Sequence, residues 1–421
     1  MNIVEITAFD KPVTATIDIP GSKSYTNRAL VMAALTKGPV TLCNPLYSED
    51  TEAMIACLRT LGLRVETSPE QILVQDDIST IQNRSYELFA KDSGTTLRFL
   101  LPMLCMIPGV KILKGSIRLN ERPIKDLVEA LRQLGAKIEY LEKDGQPPLK
   151  IDSLLLCSGG EVTIDASMSS QFCSALLMIA PLFLNGIKIR FRGVVISKPY
   201  IDMTVGAMRE SGIDVVQMED GGYHIPPAQL YQKDRYVIEG DFSSAGYFFA
   251  LAALTQSTMT LKNLNPLSAQ ADRKFLDILE RMGNQIMMSD DGITIIGKQI
   301  LPLFLDMEDC PDQVQTLAVL AAFAHGVTTI SGVRSLRSKE TERVQALKKE
   351  LGKMGIKTED TYDTLTIYGG DPRAATIDTY GDHRMAMAFA VAGTRLPGMK
   401  ICHPEVVNKT FPMFWDKLRA L

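Results

Sequence analysis

The chain lacks the common glycine loops that cradle phosphates: neither GxxxxGK[ST] nor GxGxxG occurs, and Gly21-Ser22-Lys23-Ser24 is only a fragment of one. Its seven cysteines are odd in number and contain no CxxC pair, which argues against a disulfide framework or a thiolate zinc site and for buried thiols in a reducing compartment. Four histidines, at 224, 325, 383 and 403, have no metal-ligand spacing, so no metal is expected. There is no basic excess: a formal net charge of -4 argues against a nucleic-acid partner. The apolar stretch from Ala175 to Leu184 is far shorter than the roughly 18 residues of a membrane span. The opening MNIVEITAFDKPVT shows neither the charged nor the apolar region of a signal peptide, so a cytoplasmic protein is expected.

What is present is ordinary in bulk and regular in arrangement. At 421 residues, 46% hydrophobic and 22% charged, the chain exceeds one core and predicts two soluble lobes. A strand-like pattern recurs six times: GPVTLCN from Gly38, GVKILKG from Gly109, GIKIRFRG from Gly186, STMTLKN from Ser257, GVTTISG from Gly326 and GMKICHP from Gly398. Successive starts lie 71, 77, 71, 69 and 72 residues apart, the mark of a repeated unit. Before each strand stands an apolar, alanine-rich stretch of helical length (ALVMAALTK, LRFLLPMLCM, ALLMIAPLFL, GYFFALAALT, VQTLAVLAAFA, MAMAFAVAGT) that predicts a helix buried all round. Five units close with a second, amphipathic helix whose ending (LRTLG, LRQLG, MRESG, LERMG, LGKMG) places glycine at the left-handed cap, with a strand after each. No low-complexity linker interrupts the chain. The joins IDIPGSKS and VIEGDFSS mark the expected division, 1–21 with 240–421 against 22–239.

The mouths of the six buried helices read GSKSYTNR, KDSGTTLR, SMSSQFCS, GDFSSAG, DCPDQV and YGDHR. Capping accounts for much of their Ser, Thr, Asp and Gly, Ser243 and Thr96 included. It does not account for Arg28, Arg98 and Arg384, placed in or near first turns, where the helix dipole disfavours a cation by about 0.3–1 kcal/mol. A compensating anion follows, and guanidinium forks beside free helix N–H groups suit a phosphate or carboxylate. Lys339 and Arg343, four apart at the start of an outer helix, predict two cations on one face, unless Glu340 and Glu342 make it a neutralised solvated face. Arg122 precedes a proline expected at the first helical position, and Lys409 adds a further cation. Asp312 after Pro311, and Glu340 between Lys339 and Arg343, are the acid and base candidates, although a carboxylate at a helix start is also favoured by the dipole alone. Ser169, Ser170 and Gln171 are neutral donors suited to orienting oxygens. Cys173 and Cys310 read as buried thiols, and Met385 and Met387 as core.

In order along the whole chain, GSKSYTNRAL, SGTTLR, ERPIKDLVEALRQLGA, SSQF, SKPYID, PDQ, SKETER and YGDHRMAMAFA closely resemble the 5-enolpyruvylshikimate-3-phosphate synthase (3-phosphoshikimate 1-carboxyvinyltransferase) family. The resemblance implies an inside-out α/β fold of two lobes with three repeats each and an active site in the interlobe cleft. It implies transfer of the enolpyruvyl group of phosphoenolpyruvate to the 5-hydroxyl of shikimate 3-phosphate, with release of phosphate and without metal or organic cofactor. A monomer is expected. By motif match, Lys23, Ser24, Arg28, Ser169, Ser170, Gln171, Ser197, Tyr200, Asp312, Ser335 and Lys339 would serve shikimate 3-phosphate. Lys23, Gly94, Arg122, Gln171, Arg343, Arg384 and Lys409 would serve phosphoenolpyruvate. Asp312 would be the base toward the 5-hydroxyl, Lys339 its neighbour and Glu340 the proton donor to carbon.

The sequence departs from the family pattern at Asp92 and Ser335, and at Gly381, where asparagine is usual; Asp92 would put a carboxylate near an anionic substrate. His383 belongs to the motif, with structural support and proton transfer both open to it. The sister enzyme acting on UDP-N-acetylglucosamine is an alternative, but RLNERP, residues 118 to 123, lacks the cysteine typical of it. A non-catalytic anion-binding homologue is another, and it gives no reason to keep both Asp312 and Glu340.

Overall fold

The computed structural model describes residues 2–153, 158–289 and 291–421. The chain divides into two compact units, Met1–Pro20 with Glu239–Leu421 and Gly21–Ile238, each with its own hydrophobic core. The divisions fall one residue before the positions expected from the joins.

All six recurring strand motifs form interior strands: Val40–Cys43, Gly109–Lys114, Ile187–Arg192, Thr258–Lys262, Gly326–Ser331 and Lys400–Cys402. Each has a parallel neighbour on one side and an antiparallel one on the other. Among the described residues each unit therefore carries three small sheets, five of the six four-stranded and the one around Lys400–Cys402 three-stranded. In four sheets the parallel neighbour lies just before the inner helix, as Tyr86–Phe89 does beside Gly109–Lys114. In the first sheet of each unit it comes from the far end of that unit's sequence. Arg235–Val237 pairs with Val40–Cys43, and Thr14–Asp18 pairs with Thr258–Lys262 from Thr258↔Thr14 to Lys262↔Asp18.

The six apolar stretches are the inner helices Lys23–Leu35, Gly94–Cys105, Ser170–Ile179, Phe242–Thr255, Val314–Ala322 and His383–Gly393. The first three pack on one another in one unit, the last three in the other. A helix flanked by two helices and sheets has no solvent side, which is why Val314–Ala322 and His383–Gly393 are buried at every position and can afford no polar stripe. The second helix of five units is outer and amphipathic, and each of these five helices ends before glycine with φ between +84° and +105°, where a Cβ would be strained. Among the described residues no helix is long and apolar enough to cross a membrane.

Candidate active site

In the unit 21–238, polar side chains gather at the starts of the three inner helices. Ser22 caps the first, Ser93 the second and Ser169 the third, each accepting a backbone N–H through its hydroxyl. Lys23 opens the first helix and pairs with buried Asp50 at 3.2 Å. Arg28 and Arg98 lie just past the first turn, near it as expected, as the sixth and fifth residues of their helices. Arg28 is buried and ringed by neutral oxygens: it donates to Thr204 Oγ1 (2.7 Å), the carbonyls of Ser24 (3.1 Å) and Tyr200 (3.0 Å), and Ser174 Oγ (3.3 Å). Burial lowers its pKa to about 10, with Tyr25 and Tyr200 opposing.

Arg98 Nη1 donates to Gln171 Oε1 at 2.8 Å, and its guanidinium lies over the Phe172 ring, 5.1 Å being the matching distance from Arg28 to Phe99. At the start of the second inner helix a Cβ on Gly94 would stand 2.9 Å from Arg122 Nη1 and 3.5 Å from Arg98 Nη1. Two guanidinium groups thus approach one helix N-terminus across the space left by Gly94. Arg122 arrives by a different route from the one its proline implied. The outer helix is Lys125–Gln133 with Ile124 at its cap, so Pro123 precedes the helix and Arg122 lies in the preceding turn. Asp92 accepts from the Ser116 hydroxyl, which ties this departure from the family pattern to the start of the short helix Ile117–Asn120. Ser170 and Ser197 are buried, and Ser197 holds a left-handed backbone (φ 51°) just before the helix Lys198–Glu210, a strained geometry of the kind found at functional positions. Tyr200 follows in the first turn of that helix.

In the other unit the carboxylates and arginines form one ion network. Asp312 sits in the turn Pro311–Gln313, ahead of the fifth inner helix. Its Oδ2 accepts from Arg384 Nη2 at 2.7 Å and its Oδ1 from Arg343 Nη1 at 3.3 Å. Arg343 also donates to Glu340 at 2.9 Å and, through Nε, to Asp382 at 2.7 Å. Burial works against the Arg343 charge, but Asp382, Glu340 and Asp312 outweigh it and hold the guanidinium firmly protonated. Arg384 lies in the first turn of the sixth inner helix and also donates to Tyr247 Oη at 3.3 Å. Burial lifts that phenol to about 12 against the opposing arginine. The anion that compensates Arg384 is therefore, in this structure, the protein's own Asp312. Lys409 is buried at the end of the turn Pro404–Lys409, and Ser335 lies in the turn Arg334–Ser338.

Three expectations are corrected here. Lys339 and Arg343 do not share a helix face: Glu342 caps the helix Arg343–Lys353 by accepting from Gln345 N at 2.6 Å, so the helix begins at Arg343 and Lys339 stands in extended chain before it. Arg343 is buried, which also removes the solvated-face alternative. Ser243 is not a cap, since Asp241 takes that place by accepting from Ser244 N at 2.9 Å. Ser243 donates its hydroxyl to Asp272 instead. Thr96 also turns its hydroxyl elsewhere, to the Asp50 carbonyl at 3.1 Å. Cys173 and Cys310 are buried, and burial pushes both thiols well above their usual range.

Sequence reasoning gave no role to Asp382, Tyr247 or Asp272. For Asp382 the signal was on the page: an aspartate directly before a helical run is a cap. Its Oδ1 accepts from Arg384 N at 2.8 Å while Oδ2 holds Arg343. His383 is buried with Nδ1 3.7 Å from Asp382 Oδ1. Asp272 and Tyr247 carry no local signal, because Cys310 and Arg384, with which they bond, are 38 and 137 residues away in sequence.

A family model described as EPSP synthase (3-phosphoshikimate 1-carboxyvinyltransferase) matches residues 8–418. A 3-phosphoshikimate 1-carboxyvinyltransferase of Nostoc punctiforme is 40% identical over 420 residues, spanning 99% of this chain and 98% of its own length. One from Syntrophobacter fumaroxidans is 41% identical over 413 residues, spanning 97% of both chains. A solved structure of EPSP synthase from Acinetobacter baumannii shares the fold at a TM-score of 0.82 and 23% identity, covering 100% of this chain and 98% of that one.

Proposed function

Because the chain belongs to the EPSP synthase family, we propose that it transfers the 1-carboxyvinyl group of phosphoenolpyruvate to the 5-hydroxyl of shikimate 3-phosphate, releasing phosphate, in the route to aromatic amino acids. It does so in the cytoplasm as a monomer. In the unit 21–238, Lys23, Ser24, Ser169, Ser170, Gln171, Ser197 and Tyr200 bind shikimate 3-phosphate. Arg28 belongs to that group by position, and its buried network makes it the member that fixes Ser24 and Tyr200. Gly94, Arg122, Gln171 and Lys23 bind phosphoenolpyruvate, as do Arg343, Arg384 and Lys409 of the other unit, where Ser335, Lys339 and Asp312 serve shikimate 3-phosphate.

The addition step moves two protons. Asp312 accepts the proton of the 5-hydroxyl as its oxygen attacks C2 of phosphoenolpyruvate, and Glu340 gives a proton to the methylene carbon, forming a tetrahedral intermediate. Elimination reverses the flow at carbon: a methyl proton leaves to Glu340 as the C–O bond to phosphate breaks, and the proton held by Asp312 passes to the departing phosphate, which restores both carboxyl groups. Both substrates bring a phosphate and a carboxylate, and this charge explains the density of cations in a chain whose net charge is negative.

The observation that carries this reading is one shared guanidinium. Arg343 bonds both Asp312 and Glu340, so the base and the acid are oriented by the same buried cation. Given both substrates, purified protein should release phosphate well above background, and failure to do so would sink the reading. Asp312→Asn should keep ligand binding and slow turnover by about 10²-fold or more; undiminished turnover would remove Asp312 from the base role.

A further inference from the structure

The turn that carries Asp312 is tied down at both ends to one buried carboxyl group. At its front, Cys310 donates its thiol to Asp272 Oδ1 at 3.2 Å. At its back, Gln313 Nε2 donates to the carbonyls of Phe242 (3.2 Å) and Ser243 (3.3 Å), at the start of the fourth inner helix. The Ser243 hydroxyl then donates to Oδ2 of Asp272. The ring closes: Asp272, Cys310, the turn, Gln313, Ser243 and Asp272 again. Gly246 makes room for it, since a Cβ there would lie 2.3 Å from Gln313 Oε1. Asp272 is 3% exposed and belongs to the short turn Ala271–Arg273, outside every motif of the family resemblance.

We propose that Asp272 is a positioning residue for Asp312, fixing the turn that carries it through Cys310 and Ser243. The inference rests on the reading of Asp312 as the base. The groups facing the pair come from each neighbouring element: Arg384 from the sixth inner helix, Arg343 from the outer helix with Glu340 and Asp382 on its other nitrogens, Ser243 from the fourth inner helix, and Cys310 with Lys274 beside it. Burial first, and the Asp312 charge second, raise the Asp272 carboxyl to about 6, against the pull of Arg384 and the two donors. The proton of the pair therefore settles on Asp272, and above about pH 6 its carboxylate accepts from both Cys310 and Ser243 and holds the turn.

The test is the pH profile of kcat/KM by phosphate release, with thermal midpoints measured alongside. Asp272→Asn removes the charge and keeps the shape, and its acidic limb should move to lower pH by about half a unit or more. Cys310→Ala, which removes one anchor and its stabilisation of the Asp272 charge, should move it to higher pH by less, and Cys310→Ser should restore the wild-type limb. An acidic limb that coincides with wild type in folded Asp272→Asn overturns the proposal; if that variant does not fold, the same criterion is applied to Cys310→Ala. The Asp312→Asn variant separates the two readings. Undiminished turnover there overturns the base assignment and this inference together, whereas an inactive Asp312→Asn beside an unshifted Asp272→Asn overturns this inference alone.

Discussion

Asp382 offers a clean measurement of what holds the ion network in place. One carboxylate oxygen accepts from Arg384 N at 2.8 Å and caps the sixth inner helix, while the other accepts from Arg343 Nε at 2.7 Å, with both side chains essentially buried. Asp382→Asn leaves a single acceptor for these two donors. The amide can keep the cap and turn its NH2 toward the arginine, or keep the arginine and abandon the cap. Removing one partner of a buried ion pair costs about 3–5 kcal/mol. Arg343 keeps Asp312 and Glu340, so the lower end of that range applies. For a unit of roughly 200 residues each kcal/mol lowers the midpoint by about 2–4 °C, giving a fall of about 6–12 °C for Asp382→Asn. Asp382→Ala loses the cap as well, a further cost of about 1 kcal/mol. Differential scanning calorimetry reads both. A midpoint within about 2 °C of wild type for Asp382→Asn would refute the reasoning, since it would mean that the pair contributes no more than an exposed one.

Gly246→Ala should cost turnover more than stability, because its Cβ meets the Gln313 amide at 2.3 Å and displaces the turn that carries Asp312; steady-state kinetics beside a thermal melt would check it. The Asp272 carboxyl is raised from 3.8 to about 6, so it binds its proton more tightly in the folded chain than in the unfolded one. Its contribution to stability is full below about pH 4 and is lost as pH rises through 6. Urea unfolding across this window should show that loss in wild type and a flatter profile in Asp272→Asn; parallel profiles would count against a buried, hard-to-ionise carboxyl. Tyr380→Phe removes the phenol that donates to buried Glu350 at 2.5 Å, leaving Lys353 and the Asp378 N–H as partners, and should cost about 1–2 kcal/mol in the same assay.

The repeat was legible because its signals are local. Alternating strands such as GVKILKG, all-apolar helices such as VQTLAVLAAFA and the glycine endings each state their structure within about ten residues, and six copies reinforce one another. Helix starts were harder. Pro123 suggested a first helical position, but Ile124 donates its N–H to the Gly145 carbonyl as the cap and the helix begins two residues later, at Lys125. Glu342 competed with Lys339 for the start of its helix and won, because its carboxylate caps the free N–H of Gln345. Arg384 was rightly seen as a cation in an unfavourable place, yet what the sequence hides is the anion that answers it, 72 residues earlier at Asp312. Asp272 was invisible for the same reason. Its meaning lies wholly in partners from two other segments, Ser243 and Cys310.

The pairing of Thr14–Asp18 with Thr258–Lys262 has a consequence for synthesis on the ribosome. Residues 21–238 find every strand of their three sheets within their own stretch, the last being Arg235–Val237. The strand Thr14–Asp18 leaves the tunnel first and then waits, unpaired, for a partner some 240 residues later, about 12 to 50 s at ordinary elongation rates. The later-numbered unit is therefore completed after residues 21–238, with its own first strand held in reserve. Chains stalled near residue 260 should protect residues 21–238 from protease while leaving the first 20 open to it, and protection of both would show that the early strand finds a temporary partner.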